Sequence, residues 1–109
     1  MLPAVERAYI DPAKVREYLL SPVHPVGRFK AVVFQALGYK TEEWEKLRED
    51  LLALARTTDA APGQISTFGQ KYEVSGTLRG PNGREARFTC VWLVPVDGEA
   101  PRFITAFPG

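Results

Sequence analysis

The most constraining feature of this sequence is a change of hydrophobic period near its middle. Up to about residue 57, apolar residues recur every three or four positions, which is typical of helices that bury one face. From residue 71 onwards they alternate with polar residues, which is typical of strands with one buried and one solvated face. The order predicts an α+β domain, in which about three N-terminal helices pack on one face of a C-terminal antiparallel sheet of three to four strands.

The length predicts one domain. A chain of 109 residues has room for a single core. We expect this domain to span residues 1–109, with a helical half at about 11–57 and a sheet half at about 64–108. Thr57–Gly63 is rich in small residues and is expected to link the two halves.

Capping residues predict where the helices begin and end. Asp11 can accept the free amide protons of a first helical turn, and Pro12 at the first position loses no needed donor. Gly38 is expected to end the second helix in a left-handed conformation. The apolar stripe of that helix is predicted to be Phe29, Val32, Val33 and Leu37. Other expected core residues are Trp44, Leu47, Phe88 and Trp92.

Glycine-containing segments predict the reversals of the sheet. Gly80–Gly83 and Asp97-Gly98 have the composition of tight turns between strands. The alternation then predicts which residues point away from the helices. They are Lys71, Glu73, Ser75, Thr77, Arg79, Arg87 and Thr89.

Charge and composition exclude several classes of function. Fourteen basic and thirteen acidic residues give a net charge of +1, so no global field attracts nucleic acid or an anionic membrane. The single cysteine, Cys90, excludes an internal disulfide and favours a cytoplasmic location. With one histidine and no clustered acids we expect no metal site, and no cofactor motif is present. The N-terminal residues predict neither a signal peptide nor a membrane span.

His24 is the first candidate for chemistry. It lies in Ser21–Gly27, a segment with two prolines and a glycine that can hold a side chain in place at little entropic cost. Histidine is the side chain whose ordinary pKa suits proton transfer near neutral pH. The alternative is that His24 is a helix-capping or surface residue.

Basic residues form a second candidate feature. Arg28 and Lys30 lie at the start of the predicted second helix, where free amides and the helix dipole favour an anion. With His24 they indicate a phosphate or carboxylate subsite. The alternative is two cations on a solvated helix face.

The C-terminal strand carries a further candidate. Thr105 is expected either to share a face with Phe103 and Phe107 or to be redirected by a β-bulge. It is either a site residue or a buried threonine bonded to the backbone. Arg87 and Arg102 have the planar shape that matches phosphate, or they pair across strands with Glu73 and Glu85.

Three segments carry a resemblance to known proteins. VERAYIDPAKVREYLL, SPVHPVGRFKAVVFQALGY and RFITAFP resemble a family of small bacterial domains of unknown function. More distantly, the order of the elements and the final Thr105–Pro108 strand are similar to the barnase, EndoU, colicin D and RelE superfamily of ribonucleases, which includes toxins. This chain has Phe107 where a tyrosine is common, and one histidine where EndoU-type enzymes use two.

The resemblance implies a metal-independent, toxin-like ribonuclease that cleaves RNA by attack of a 2′-hydroxyl on the adjacent phosphate. In that reaction His24 would be the general acid or base, Lys30 and Arg102 would hold the phosphate, and Thr105 would donate a hydrogen bond to it. Arg87 and Arg28 would be additional phosphate ligands. The alternative function is a non-catalytic interaction module of a two-gene or toxin–antitoxin-like system, whose partner is a small protein rather than RNA.

Overall fold

A computed structural model describes all residues, 1–109, and has the predicted α+β order. The helical elements come first and a four-stranded antiparallel meander follows, with strand order β1-β2-β3-β4. The α-helices are α1 (Pro12–Lys14), α2 (Gly27–Ala36) and α3 (Trp44–Thr57). The strands are β1 (Ala60–Ser66), β2 (Gly69–Arg79), β3 (Glu85–Pro95) and β4 (Arg102–Pro108). None of the helices combines the length and hydropathy that a membrane-spanning helix requires.

The first helix begins where the sequence predicts. The Asp11 carboxylate accepts a hydrogen bond from the Ala13 amide at 2.9 Å, and Pro12 occupies the first turn. After Lys14 the helix widens into a π-helical turn, Val15–Leu19, which ends with the Leu20 amide bonded to the Val15 carbonyl at 2.9 Å. A π-turn shifts the following side chains around the helix axis.

The predicted buried face of α2 is only partly correct, because Leu37 is buried and Val33 packs against the core but the other two predicted residues are exposed. Phe29 and Val32 are 65% and 68% exposed, whereas Phe34 is fully buried. Apolar residues surround most of this helix, so its spacing alone admits two apolar stripes. The stripe that contains Phe34 is buried because its ring stacks on Phe88 with centroids 4.7 Å apart, which joins α2 to the sheet.

The predicted core position of Leu47 in α3 is confirmed, and it is fully buried together with Leu51. The prediction for Trp44 is only partly correct, because this residue is half-buried. The guanidinium groups of Arg16 and Arg48 lie 5.6 and 4.8 Å from the centroid of its ring, within the range of cation–π contacts.

The predicted linker is partly a strand. β1 begins at Ala60 and pairs with β2, so only the first residues of Thr57–Gly63 connect the two halves. Pro62 is tolerated because β1 is an edge strand that needs no second ladder of hydrogen bonds.

Gly38 and Gly98 have φ angles of 96° and 80°, which confirms both as left-handed reversal points.

The sheet buries the predicted alternate residues of β2 and β3 under the helices. Val74 pairs with Cys90, and Trp92 pairs with Phe103 of β4. Between Trp92↔Phe103 and Val91↔Thr105 the register shifts, so Ile104 is an extra residue in β4. Of the two alternatives for Thr105, the bulge is therefore the one observed, and it lies in the last strand of the sheet, beside α1 and α2.

Candidate functional site

Three side chains from distant parts of the chain meet at the β4 edge. The Lys30 ammonium donates to the Tyr18 hydroxyl at 2.9 Å and to the Thr105 hydroxyl at 2.6 Å. The two hydroxyl oxygens are themselves 2.9 Å apart. We call Tyr18, Lys30 and Thr105 the Lys–Tyr–Thr cluster. Each of its members is half-buried, so each can still be reached from solvent.

Local backbone features bring this cluster together. Tyr18 belongs to the π-helical turn, and Thr105 directly follows the extra residue of the β4 bulge. Gly27 at the start of α2 packs against the Tyr18 carbonyl so closely that a Cβ atom would overlap it. The glycine thus lets α2 approach the π-turn, which places Lys30 beside Tyr18. π-turns and bulges are frequent at functional sites because they redirect side chains.

The surroundings of Tyr18 favour its ionised form. Partial burial raises its pKa, but hydrogen bonds from Lys30 and Thr105 and the charges of Lys30 and Lys14 lower it by more in total. The net pKa of the phenol therefore lies below its ordinary value of 10.0. In this cluster, the Tyr18 hydroxyl therefore gives up its proton more easily than a tyrosine hydroxyl in water does.

His24 lies against the cluster and also caps α2. Its ring meets the Tyr18 ring edge-on, with centroids 5.0 Å apart. The Nδ1 atom accepts hydrogen bonds from the amides of Val26 and Gly27 at 3.0 and 2.9 Å, as the capping alternative predicts. Because Nδ1 is an acceptor in this arrangement, the neutral ring carries its proton on Nε2. This geometry makes His24 suited to donating a hydrogen bond from Nε2.

An open cleft gives access to these residues. Its volume is about 700 Å³, and its walls include Tyr18, His24 and Thr105. The lining also contains one cation, Lys14, and two carboxylates, Asp11 and Glu17. Lys30 adjoins the cleft through its bonds to Tyr18 and Thr105. Of the predicted catalytic trio, His24 and Thr105 thus line this cleft, and Lys30 contacts it through Thr105.

None of the three predicted phosphate-binding arginines lines this cleft. The Arg28 guanidinium lies over the exposed Phe29 ring, 4.8 Å from its centroid. Arg87 is exposed on β3, where it is the register partner of Thr77. Arg102 lines a different cavity with Lys71. Neither Arg87 nor Arg102 forms a salt bridge with Glu73 or Glu85, so the predicted cross-strand ion pairs are also absent.

Other reactive groups are unsuited to chemistry at neutral pH. Burial raises the pKa of the Cys90 thiol to about 12, so it stays protonated. No three side chains of histidine, cysteine, aspartate or glutamate lie close enough together to hold a metal ion.

The family model for the domain of unknown function DUF6883 matches residues 1–109, the full length of the chain. The chain belongs to the DUF6883 family. The predicted membership of a family of unknown function is therefore confirmed, while membership of the ribonuclease superfamily stays a prediction.

This DUF6883 domain also has a structural neighbour of known architecture. A chain of the contact-dependent growth inhibition toxin–immunity protein complex from Klebsiella pneumoniae 342 superposes with a TM-score of 0.71 and 19% sequence identity. The match covers 98% of this chain and 97% of that chain. At this identity the likeness establishes a shared fold. No curated protein matches the sequence significantly.

Sequence reasoning missed Tyr18 and Lys14 of this DUF6883 domain. Tyr18 lies on the side of the first helix that carries the buried Val15 and Leu19, and it packs partly against the core. A tyrosine at the border of an apolar stripe usually finds a polar partner for its hydroxyl, and this is the signal that could have found it. Lys14, four residues earlier, places its ammonium 5.5 Å from the Tyr18 ring centroid.

Proposed function

We propose that this DUF6883 domain is a metal-independent ribonuclease of the toxin type, with the Lys–Tyr–Thr cluster and His24 as its active site. The observation that carries the proposal is the double hydrogen bond from Lys30 to the Tyr18 and Thr105 hydroxyls beside an open cleft. A cation that lowers the pKa of a reachable phenol supplies both a proton acceptor and positive charge, which phosphoryl transfer from a 2′-hydroxyl needs.

The proposed reaction uses each residue in one role. Tyr18, as phenolate, takes the proton of the 2′-hydroxyl, whose oxygen forms a bond to phosphorus while the bond to the 5′ oxygen breaks. The 5′ oxygen takes a proton from solvent, and the products are a 2′,3′-cyclic phosphate and a 5′-hydroxyl. Lys30 stabilises the charge on the phosphoryl oxygens, and Thr105 and Nε2 of His24 donate hydrogen bonds to them. Tyr18 thus replaces His24 as the proposed base.

The structural neighbour adds support of a coarser kind. It belongs to a complex of a toxin and an immunity protein, and it shares the fold over almost the whole chain. A domain of this fold in a toxin system fits a small nuclease whose activity a partner protein controls.

The decisive experiment incubates the purified domain with total RNA and with a labelled oligoribonucleotide in the presence of a chelator. We expect cleavage that leaves cyclic phosphate ends and that Lys30→Ala reduces by about 10² to 10⁴, the usual contribution of such a group. His24→Ala is expected to reduce cleavage as well. Absence of cleavage by the parent protein at high concentration would reject the proposal.

Matched variants separate the cluster from its surroundings. Glu17→Gln removes a carboxylate that lines the same cleft but lies outside the cluster. We expect it to cleave like the parent. If Glu17→Gln is inactive while Tyr18→Phe is active, the proton acceptor is Glu17 and the role assigned to Tyr18 is wrong.

A second candidate, a non-catalytic protein-interaction module, is favoured by an apolar ridge along α2 and the segment before it. Val23, Val26, Phe29 and Val32 are each more than half exposed, and Phe29 and Val32 are neighbours one turn apart on α2. Exposed apolar surface of this kind marks sites of protein association. The neighbour belongs to a toxin–immunity protein complex, which is compatible with such a partner.

Calorimetric titration with the protein encoded by the adjacent gene tests this candidate. We expect Phe29→Asp to weaken the complex, and Glu45→Arg on the exposed face of α3 to leave it unchanged. Binding that depends on Phe29, with no RNA cleavage by the parent, would favour the interaction module over the ribonuclease.

A further inference from the structure

A second cavity lies on the face of the sheet that points away from the helices. Its volume is about 410 Å³, and it is lined by Gln64, Ser66, Phe68, Lys71, Leu93 and Arg102. Lys71, Leu93 and Arg102 are direct register partners across β2, β3 and β4, so they share one face. The lining carries two cations and no carboxylate. Glu73, next on this face of β2, lines a neighbouring cavity instead.

The concave shape is built into the backbone. The register of β1 shifts between Pro62 and Ile65, which places an extra residue in this edge strand. The Gln70 side-chain amide holds that irregularity by donating to the carbonyls of Gly63 and Lys71 at 2.9 and 2.8 Å. The cavity is therefore preformed by hydrogen bonds and does not depend on a ligand for its shape.

Phe68 stands at the rim of this cavity on a fixed backbone. Its amide donates to the Ser66 hydroxyl and its carbonyl accepts from the Val96 amide, both at 3.1 Å. The following Gly69 packs against the Val94 carbonyl so closely that no side chain fits there. Yet the Phe68 side chain is 71% exposed. An exposed aromatic ring on a hydrogen-bonded backbone, in a cavity that also contains two cations, offers a flat surface to another ring.

We infer that this cavity binds a nucleotide of single-stranded RNA, whose base stacks on Phe68 and whose phosphate contacts Lys71 and Arg102. Stacking on aromatic rings combined with cations that follow the backbone is the general chemistry of single-strand binding. The inference rests on the proposed ribonuclease function for the identity of the ligand. Arg102 precedes Thr105 by three residues of an extended strand, roughly 10 Å, so a short RNA reaches from this cavity to the cleft.

The test measures binding of a fluorescent single-stranded 2′-O-methyl oligonucleotide of mixed sequence, which lacks the attacking hydroxyl, by anisotropy at several salt concentrations. Phe68→Ala is expected to weaken binding by about 5- to 150-fold, the range for loss of one stacked base. Phe68→Tyr keeps the ring and is expected to bind like the parent. Arg102→Ala is expected to weaken binding and to reduce the salt slope by about one.

Ile65→Ala is the matched control, because Ile65 is 78% exposed on the same hairpin but does not line the cavity. We expect it to bind like the parent. The inference is overturned if Phe68→Ala and Arg102→Ala bind as tightly as the parent, or if Ile65→Ala weakens binding as much as Phe68→Ala. The former result would leave the exposed Phe68 ring as a surface for a protein partner.

Cleavage of a dinucleotide distinguishes this outcome from failure of the proposed function, because a dinucleotide occupies the cleft alone. If the parent cleaves the dinucleotide and Phe68→Ala binds the longer strand normally, the ribonuclease stands and the second subsite falls. If nothing is cleaved but binding still depends on Phe68 and Arg102, the subsite stands and the ribonuclease falls.

Discussion

Tyr18 and Tyr39 are the same side chain in opposite electrostatic environments. The Tyr18 hydroxyl is bonded to the Lys30 ammonium and Thr105, at the wall of an open cleft. The Tyr39 hydroxyl donates to the Asp50 carboxylate at 2.6 Å, and its residue is only 2% exposed. Burial raises both pKa values. For Tyr39 the adjacent carboxylate raises the pKa further, whereas for Tyr18 the adjacent ammonium lowers it below the ordinary value.

This difference distinguishes Tyr39, a structural residue, from Tyr18, which we propose as the base. Tyr39 keeps its proton and anchors the end of α2 to α3, where Asp50 also pairs with Lys46 at 3.0 Å. Tyr18 is reachable and can release its proton at lower cost. The comparison predicts that phenylalanine at the two positions affects two different quantities, namely activity at Tyr18 and stability at Tyr39.

The largest expected effect is that of Tyr18→Phe on RNA cleavage. Loss of the proposed base should lower the rate by about 10² to 10⁴. The free energy of unfolding should change by less than about 1 kcal/mol, because Lys30 keeps its bond to Thr105 and the site is half-exposed. Cleavage kinetics and urea unfolding of the same preparation measure the two quantities. Equal cleavage by Tyr18→Phe and the parent would mean that Tyr18, like Tyr39, has no role in cleavage.

The second effect is the destabilisation by Tyr39→Phe. This change removes a hydrogen bond to a charged group and leaves the partly buried Asp50 with Lys46 as its remaining side-chain partner. We expect a loss of about 1.5 to 3 kcal/mol in the free energy of unfolding, with unchanged cleavage. Urea unfolding checks it, and Tyr72→Phe at the edge of the core serves as the comparison variant. A drop in cleavage without a change in stability would contradict this assignment.

The third effect is a difference in how stability responds to alkaline pH. Tyr39 has a raised pKa, so its contribution to stability is complete below the unfolded value of 10.0 and is lost as the pH rises towards the folded value. Tyr18 has a lowered pKa, so its contribution is complete above 10.0 and is lost as the pH falls through the folded value.

Unfolding measured from neutral pH to above pH 10 should therefore give difference curves of opposite slope. The stability advantage of the parent over Tyr39→Phe should shrink with rising pH, and its advantage over Tyr18→Phe should grow. In Tyr18→Phe, phenolate absorbance should lack the ionisation step that Tyr18 gives in the parent at lower pH than Tyr39. Parallel curves would mean that the two hydroxyls have similar environments.

The same two tyrosines show what sequence could predict. The fold class follows from hydrophobic period. The chemistry of Tyr18 was missed, because its partners Lys30 and Thr105 are 12 and 87 residues away in sequence and no local pattern encodes their contact. The β4 bulge was considered as one of two alternatives, since an extra residue leaves no signature in the alternation itself.

The wrong prediction that Phe29 and Val32 of α2 are buried has a different cause. The helix carries Phe29 and Val32 on one side and Phe34 on another, so hydrophobic spacing alone admits both orientations. Tertiary packing decides between them: Gly27 allows close approach to the Tyr18 carbonyl, and that approach turns Phe34 towards Phe88. The same rotation leaves Arg28 outside the cleft, so the exposure of Phe29 and Val32 and the absence of Arg28 from the cleft have one origin.

The smallest expected effect is that of Lys14→Gln, which tests whether distant charge contributes to the Tyr18 environment. Lys14 makes no hydrogen bond to the phenol, and its charge is the last of the influences that lower the Tyr18 pKa. Its removal should raise that pKa slightly and move the rising limb of the cleavage–pH profile, which reports ionisation of the base, to higher pH. The maximal rate should be almost unchanged. Arg16→Gln is the matched control, because Arg16 lies over Trp44 instead. A loss of rate as large as that of Lys30→Ala would mean that Lys14 contacts the substrate directly.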